Sequence, residues 1–231
     1  MKSLIIIPTY NEKENIKKLV NQVTELGFHI LVIDDNSPDG TGDILEKLKL
    51  ENEKINIMHR ERKLGLGTAY IQGFKWALKR DFDYIFTMDA DFSHNPAYLM
   101  GFLDKLSESD LVIGARYVKG GGVVNWPIQR KIISRCGSFY ARTILCFPIK
   151  DCTSGFMGFR RKVLENIDLD EIKSEGYGFL IEMKYRTYRH GYKIEQYPII
   201  FVDRLHGKSK ISKNIIWEAI FLVWKLKFRI K

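Results

Sequence analysis

The sequence is poor in cysteine and contains no long apolar run. Its three cysteines, Cys136, Cys146 and Cys152, form neither a CxxC pair nor the spacing of a zinc site. A disulfide scaffold and a zinc module are therefore excluded, and reduced intracellular thiols are expected. No stretch approaches the ~20 consecutive apolar residues that cross a bilayer, and residues 1–3 lead directly into an apolar strand instead of a signal peptide.

Acidic residues are absent from one long segment. Between Leu111 and Lys150 there are seven basic residues and no acid, and between Arg204 and Lys231 there are eight basic residues and one acid, Glu218. The formal net charge is +9. Two basic segments in the second half indicate an anionic partner such as phosphate, anionic lipid or nucleic acid. A nucleic-acid binder is disfavoured because no recognised nucleic-acid module is present.

The hydrophobic pattern predicts an α/β fold. Apolar residues make up 45% and charged residues 28% of the 231 positions, which suits one globular domain. Short apolar runs alternate with amphipathic helical patterns, and we predict strands at 4–7, 30–33, 55–58, 84–88 and 111–113. This alternation favours a mostly parallel, Rossmann-like sheet.

Polar clusters follow three of these predicted strands. They are the segment 8–12, the pair Asp34-Asp35 and the segment Asp89-Ala90-Asp91. Because open α/β sheets bind ligands beyond the carboxyl ends of their strands, we expect the clusters to meet there. Asp89 and Asp91 offer hard oxygen ligands for Mg²⁺ or Mn²⁺ shared with a diphosphate. Tyr10 could lie against a base, and Asp35 could bind the base or ribose.

Each of these residues also has a purely structural interpretation. One carboxylate of the Asp89–Asp91 pair could cap the next helix while the other is solvated, and Tyr10 could simply pack. Asp34 and Asp35 could cap a helix starting near Thr41. The coincidence of three clusters on one edge favours the nucleotide site.

Five motifs, VIDDNSPDGT, RKLGLGTAY, MDADFSHNP, RKIISR and FVDRLHGKSK, resemble those of the dolichyl-phosphate mannose synthases, which are inverting A-type glycosyltransferases. The resemblance extends from about residue 3 to about residue 215. It implies one Rossmann-like A-type glycosyltransferase domain at 1–210, with a C-terminal amphipathic helix at 211–231. The implied reaction transfers mannose from GDP-mannose to dolichyl or another polyprenyl phosphate, with inversion and a divalent metal, Mg²⁺ or Mn²⁺.

The resemblance also implies roles for individual residues. Catalysis is assigned to Asp89, Asp91 and Arg204, and metal binding to Asp89, Asp91 and Ser93. Relatives with glutamine at the position of Ser93 suggest that this ligand acts through water. The acceptor phosphate is assigned to Arg116, Arg130 and Ser134. The nucleotide sugar is assigned to Pro8, Tyr10, Glu12, Ile33, Asp35, Asp89, Ala90, Asp91, Arg116, Arg204 and Lys210, of which Arg204 and Lys210 would close over the diphosphate.

A phosphate acceptor agrees with the residue chemistry. A phosphate monoester is already anionic and needs cationic positioning, whereas a sugar hydroxyl needs a carboxylate base. Alternatives are transfer of glucose from UDP-glucose to the same acceptor and transfer to a glycan hydroxyl. Transfer to a glycan hydroxyl would require a carboxylate base near residues 181–182, where Glu182 is the one acid. Glu182 could instead lie on a helix surface or bind a mannose hydroxyl. A sugar-1-phosphate nucleotidyltransferase would want a glycine-rich loop where residues 8–12 stand.

A dolichol-like acceptor stays in the bilayer, so we expect a cytoplasmic protein bound peripherally to the cytoplasmic face of the membrane. Residues 215–231 suit an interfacial helix, and the basic, apolar segment 127–147 suits a second contact. Many relatives carry C-terminal membrane spans, and this chain resembles the branch without them. The last helix could instead pack on the domain core or on a membrane-anchoring subunit.

Overall fold

The computed structural model describes residues 1–203 and 221–228. Its strands are β1 (Ser3–Thr9), β2 (His29–Asp34), β3 (Ile55–His59), β4 (Tyr84–Thr87), β5 (Leu111–Ala115), β6 (Gly122–Val124), β7 (Met157–Arg160), β8 (Ile194–Pro198) and β9 (Ile200–Val202). Its α-helices are α1 (Lys13–Glu25), α2 (Thr41–Glu51), α3 (Leu66–Leu78), α4 (Tyr98–Leu106), α5 (Ile128–Leu145), α6 (Arg161–Asn166) and α7 (Gly176–Arg189). A 3₁₀ turn spans Leu169–Glu171, and residues 221–228 are helical.

A mostly parallel sheet forms the centre of the molecule, as the sequence predicted. Seven strands lie in the order β3-β2-β1-β4-β7-β5-β8. All neighbours are parallel except β7, which runs antiparallel between β4 and β5. The two remaining strands, β6 and β9, form a separate parallel pair. The direction of β7 and the second sheet were not predicted.

Side chains alternate between the two faces of the sheet and create a core on each. In β1, Leu4 and Ile6 belong to one buried cluster, while Ile5 and Ile7 belong to the other. Helices α3, α5, α6 and α7 contribute to the first cluster, and α1, α2 and α4 to the second. Such period-two alternation is what a strand covered on both faces requires.

Backbone hydrogen bonds hold the strand ends at one edge. Asp35 N donates to Thr9 O at 3.1 Å, and Met88 N donates to Ile6 O at 3.1 Å. Pro8 lies in β1 but beyond its pairing with β4, which ends at Ile6. A proline is therefore tolerated in a central strand, because its missing N–H falls where that ladder has ended.

The helical segment 221–228 packs on the first core. Val223 and Leu226 are buried, and Lys227 Nζ donates to Ile144 O at 2.6 Å. Phe221 and Phe228, however, are 71% and 72% exposed. The segment therefore has a core-facing side and an apolar outer side. The domain boundary predicted between residues 210 and 211 lies outside the described residues.

Membrane-spanning helices are missing from the described part of the chain. Neither 1–203 nor 221–228 contains a helix whose length and apolar character would let it cross a bilayer.

Gly73 and Gly137 provide a matched test of packing between α3 and the sheet. A Cβ on Gly73 would lie 2.8 Å from Ile6 Cγ2, whereas a Cβ on Gly137 would meet nothing within 4 Å. We expect Gly73→Ala to destabilise the fold by about 1–3 kcal/mol through overpacking. Gly137→Ala should be neutral or stabilising by up to about 1 kcal/mol, because alanine favours helix. Urea unfolding midpoints measure both, and a raised midpoint for Gly73→Ala would contradict the packing described.

Candidate active site

Asp89 and Asp91 lie just beyond the carboxyl end of β4. The Asp89 side chain is 39% exposed, whereas Asp91 is 9% exposed. Asp89 N donates to Nδ1 of the buried His94 at 3.0 Å. Because Nδ1 accepts this bond, the ring proton is on Nε2. Burial lowers the pKa of His94, although the charges of Asp89 and Asp91 act to raise it. A neutral imidazole therefore fixes the start of this turn.

The residues after β4 fit a divalent cation. Ser93 N donates to Asp91 Oδ1 at 3.1 Å, which brings the serine beside that carboxylate. Ser93 Oγ is buried and has no hydrogen-bond partner among the described residues. Two carboxylates and a hydroxyl are hard oxygen ligands, and Mg²⁺ commonly takes one or two carboxylates together with substrate phosphates. The described residues contain no cluster of three His, Cys, Asp or Glu side chains suited to a metal.

Asp35 lies at the carboxyl end of β2 in a buried ion pair. Arg60, directly after β3, pairs with Asp35 Oδ1 at 2.5 Å. The same guanidinium donates to Thr68 Oγ1 at 2.8 Å and to Gly65 O at 3.0 Å. Arg60 thus ties Asp35 to the start of α3 and fixes the orientation of its carboxylate.

The alternative that Asp34 or Asp35 caps α2 is wrong. The N-cap of α2 is Gly40 and has no side-chain cap. Asp39 accepts from Thr41 N and Oγ1 at 3.0 and 2.6 Å. Asp34 instead accepts from Ser37 Oγ at 2.5 Å and stabilises the turn after β2.

Other residues assigned to the nucleotide lie on the same edge, but two of them are turned inward. Ile33 is fully buried and Ala90 is 5% exposed, so neither presents its side chain to a ligand. Tyr10 has the ammonium of Lys63 4.7 Å from its ring centroid. Glu12 is the N-cap residue of α1.

Arg116, assigned to the acceptor phosphate, lies in a buried ion pair just after β5. Its N, Nε and Nη2 donate to the carboxylate of Asp151 at 2.8, 2.7 and 2.6 Å. Burial alone would raise the pKa of Asp151, but the charge and hydrogen bonds of Arg116 outweigh burial and lower it. Both groups are therefore charged in the interior.

Ser134 and Arg130, on α5, lie close to Arg116. Arg116 Nη2 donates to Thr153 Oγ1 at 2.8 Å, and Thr153 Oγ1 is 3.4 Å from Ser134 Oγ. Arg130 pairs with Asp203 at 2.7 Å. Arg116 and Arg130 both approach the ring of Trp126, with Cζ-to-centroid distances of 5.3 and 4.1 Å. We call Arg116, Trp126, Arg130 and Ser134 the acceptor cluster.

The loop 151–155 connects the acceptor cluster to the turn after β4. Thr87 Oγ1, at the end of β4, donates to Gly155 O at 2.7 Å, and a Cβ on Gly155 would lie 3.8 Å from Asp89 Oδ1. Lys184 Nζ, on α7, donates to the carbonyls of Cys152, Ser154 and Leu180 at 3.0, 2.6 and 3.2 Å. Burial lowers the pKa of Lys184 to about 7, although Asp151 favours its charged form.

Glu182 lies in the interior of the protein rather than on a helix surface. Its oxygens accept from Ser174 Oγ at 2.7 Å and from Arg186 Nε at 2.8 Å.

Two of the predicted site residues, Arg204 and Lys210, lie outside the described residues.

Sequence reasoning missed Asp151, Arg60 and His94 as parts of the site. One signal for Asp151 was available, because it is the first acid after the acid-free segment 111–150. A single carboxylate following so many cations is a natural partner for one of them. Arg60 and His94 had no comparable signal, since their partners are set by the fold.

Comparison with known proteins identifies relatives over the whole chain. The sequence profile of Glycosyl transferase family 2 matches residues 4–168. An undecaprenyl-phosphate mannosyltransferase of Micrococcus luteus is 45% identical, covering 99% of this chain and 96% of that protein. A polyprenol monophosphomannose synthase of Mycolicibacterium smegmatis is 43% identical, covering 99% of this chain and 89% of that protein.

Solved structures share the fold at low sequence identity. Glucosyl-3-phosphoglycerate synthase from Mycobacterium tuberculosis, in complex with Mn²⁺, UDP and glucosyl-3-phosphoglycerate, has a TM-score of 0.70 and 16% identity, covering 100% of this chain and 81% of that chain. A mannosyltransferase from Pyrobaculum calidifontis, in complex with GDP-Man and Mn²⁺, has a TM-score of 0.59 and 13% identity, covering 96% and 69%. Both structural neighbours were solved with Mn²⁺.

Because of the Arg116–Asp151 pair, the free energy of unfolding should depend on pH in the acid range. The native pKa of Asp151 lies below its ordinary value of 3.8. Its stabilising contribution is therefore complete above that value and is lost as the pH falls through the native pKa. Asp151→Asn leaves a buried arginine uncompensated and should cost on the order of 3 kcal/mol at neutral pH.

Urea unfolding from pH 7 to pH 2.5 measures this effect. The difference between wild type and Asp151→Asn should shrink in acid, while the exposed control Asp104→Asn should stay near wild type throughout. If the difference in unfolding free energy between wild type and Asp151→Asn does not change with pH, the ion pair with Arg116 is not the source of the stability that Asp151 provides.

Proposed function

The chain belongs to glycosyl transferase family 2. From its identity of 43% and 45% to two polyprenyl-phosphate mannosyltransferases, we propose that it transfers mannose from GDP-mannose to the phosphate of a polyprenyl lipid, with inversion and with Mg²⁺ or Mn²⁺ bound. That it is a glycosyltransferase confirms what the sequence motifs predicted. The resemblance to the dolichyl-phosphate mannose synthases is likewise confirmed by relatives at 43% and 45% identity over nearly the full chain.

One observation supports the proposal that the acceptor group is a phosphate. The acceptor cluster contains two arginines and a serine hydroxyl, and the loop 151–155 ties it to the edge where Asp89 lies. Arginine is suited to phosphate because its planar guanidinium donates two parallel hydrogen bonds. This connection supports a phosphate-acceptor site beside the proposed diphosphate site.

The reaction needs no proton removed from the nucleophile. An ionised oxygen of the lipid phosphate attacks the anomeric carbon of mannose from the face opposite the nucleotide. The bond from that carbon to the diphosphate oxygen breaks as the new bond forms, and GDP leaves with the electron pair. Arg116, Arg130 and Ser134 would orient the attacking phosphate within reach of the sugar.

The leaving diphosphate gains negative charge as the bond breaks. Asp89, Asp91 and Ser93 would hold the divalent cation, which supplies electrostatic stabilisation of that charge. Asp35, fixed by Arg60, would hold the nucleoside at the neighbouring strand end. We propose that Arg204 and Lys210 add positive charge over the diphosphate.

Transfer to a glycan hydroxyl is disfavoured by the surroundings of Glu182. That reaction requires an available carboxylate base, but both oxygens of Glu182 accept hydrogen bonds from Ser174 and Arg186. Its side chain is 5% exposed.

We also propose that the enzyme binds the membrane surface through α5 and the C-terminal helix. Ile128, Ile132 and Phe139 lie at helical spacing on α5 and are more than half exposed. Phe221 and Phe228 are exposed on segment 221–228. Arg135 adds positive charge to the exposed surface of α5, which favours anionic lipid. This placement would bring the acceptor cluster to the bilayer, where a polyprenyl phosphate resides.

The test of function is transfer by purified protein to a polyprenyl phosphate, with GDP-mannose and UDP-glucose supplied separately. We expect GDP-mannose to be used and EDTA to abolish transfer. Asp91→Asn should lose at least about 100-fold in rate, because losing a metal ligand removes several kcal/mol of stabilisation and each ~1.4 kcal/mol is tenfold. Asp104→Asn is the control for the loss of one carboxylate. Preference for UDP-glucose, or full activity in EDTA, would contradict the proposal.

Membrane binding is tested by cosedimentation with anionic liposomes. The double variant Ile132→Glu/Phe139→Glu should weaken binding at least about tenfold, because each buried apolar side chain contributes about 1.5–3 kcal/mol. The matched control is Leu50→Glu/Met100→Glu, which changes two exposed apolar residues on α2 and α4. Equal binding by the two double variants would exclude α5 as the membrane contact.

A further inference from the structure

Trp126 is a buried side chain in an otherwise exposed stretch. It is 7% exposed, whereas Val124, Asn125, Pro127 and Ile128 are all exposed. Asn125 has a φ of +63°, so the chain turns sharply just before the indole. The link between β6 and α5 thus places a single aromatic ring in the interior.

The indole lies close to both arginines of the acceptor cluster. The Cζ atoms of Arg130 and Arg116 are 4.1 and 5.3 Å from its ring centroid. Phe201 packs edge-on at 5.2 Å. Attraction between guanidinium groups and the ring explains why an aromatic residue stands there. It does not account for the N–H of the indole, which takes no part in contacts through the ring face.

The N–H of the indole is the unexplained group. Trp126 Nε1 is buried and finds no acceptor in residues 1–203 or 221–228, and the same is true of Arg130 Nε. Buried indole N–H groups ordinarily have a partner, and leaving one unmet is unfavourable. Two such donors on adjoining side chains, beside a second guanidinium, suit an acceptor with several anionic oxygens. A phosphate group has that chemistry.

We propose that Trp126 Nε1–H donates a hydrogen bond to the phosphate of the lipid acceptor, as a binding residue beside Arg116 and Arg130. This inference rests on the proposed function. The phosphate reaches the indole when Arg130 exchanges its partner Asp203 for the ligand. The Arg130–Asp203 side chains are 16% and 23% exposed, against 5% and 0% for Arg116–Asp151. The more exposed pair is the weaker one and is the one that exchanges.

The kinetic test separates the N–H from the ring. Trp126→Phe keeps an aromatic face and removes the donor, so the KM for polyprenyl phosphate should rise about tenfold or more. The KM for GDP-mannose should stay at the wild-type value. Trp126→His, which retains a ring N–H, should recover part of the affinity for the acceptor. Trp76→Phe is the matched control, because Trp76 on α3 has the guanidinium of Arg80 3.6 Å from its ring centroid and lies outside the site.

A spectroscopic test uses the wild-type protein and does not depend on variants that fold. The chain has four tryptophans, and ¹⁵N labelling resolves their indole N–H resonances. Saturation with decyl phosphate should shift the Trp126 signal downfield and slow its hydrogen exchange, while the Trp76 signal stays in place.

The outcomes distinguish the inference from the function on which it rests. If wild type transfers no sugar to polyprenyl phosphate, the proposed function fails. If wild type is active but Trp126→Phe keeps the acceptor KM, or the Trp126 signal does not move at saturation, the inference is overturned. A Trp126→Phe variant that loses affinity for GDP-mannose instead of the acceptor would also overturn it.

Discussion

The buried ion pair between Arg116 and Asp151 holds the two sides of the site together. Asp151 fixes the guanidinium that approaches Trp126, and it begins the loop whose other end is bonded to β4 through Thr87. Desolvation makes such a pair a poor source of stability. Its contribution is geometric, because neither charge can move in the interior without leaving the other uncompensated.

Three arginines next to proposed substrate positions have carboxylate partners, and the three pairs differ in burial. Arg60–Asp35 and Arg116–Asp151 are almost fully enclosed, whereas Arg130–Asp203 reaches solvent. A site that brings two anionic phosphorylated groups together must overcome their mutual repulsion. The two enclosed pairs have fixed geometry, and in the proposed binding mode Arg130 of the exposed pair exchanges Asp203 for the ligand. Arg116 and Arg130 belong to the acid-free segment 111–150, and their partners Asp151 and Asp203 both lie outside it.

The fold was predictable where the signal is local. Continuous apolar runs predicted β1, β2 and β4, and the turn residues after them placed Asp35, Asp89 and Asp91 at one edge. The order of strands is set by pairing between distant segments, which no local pattern records, so the antiparallel insertion of β7 was missed. For the same reason Asp151 could not be paired with Arg116, which precedes it by 35 residues. The alternative that Asp34 or Asp35 caps α2 failed because Asp39 bonds Thr41 from within the turn.

The reversed direction of β7 has a consequence for exchange of the segment that precedes it. The chain leaves the sheet at the end of β5 and returns at the start of β7, where Gly114 N donates to Phe156 O at 2.9 Å. Residues 116–155 are therefore an excursion whose two ends are fastened side by side. The loops of this segment can change in length without altering the register of the seven-stranded sheet, because the entropic cost of closing a loop grows only slowly with its length. Exchange of this segment would therefore change the proposed acceptor site, while the strands β1, β2 and β4 that carry the proposed donor site would stay in place.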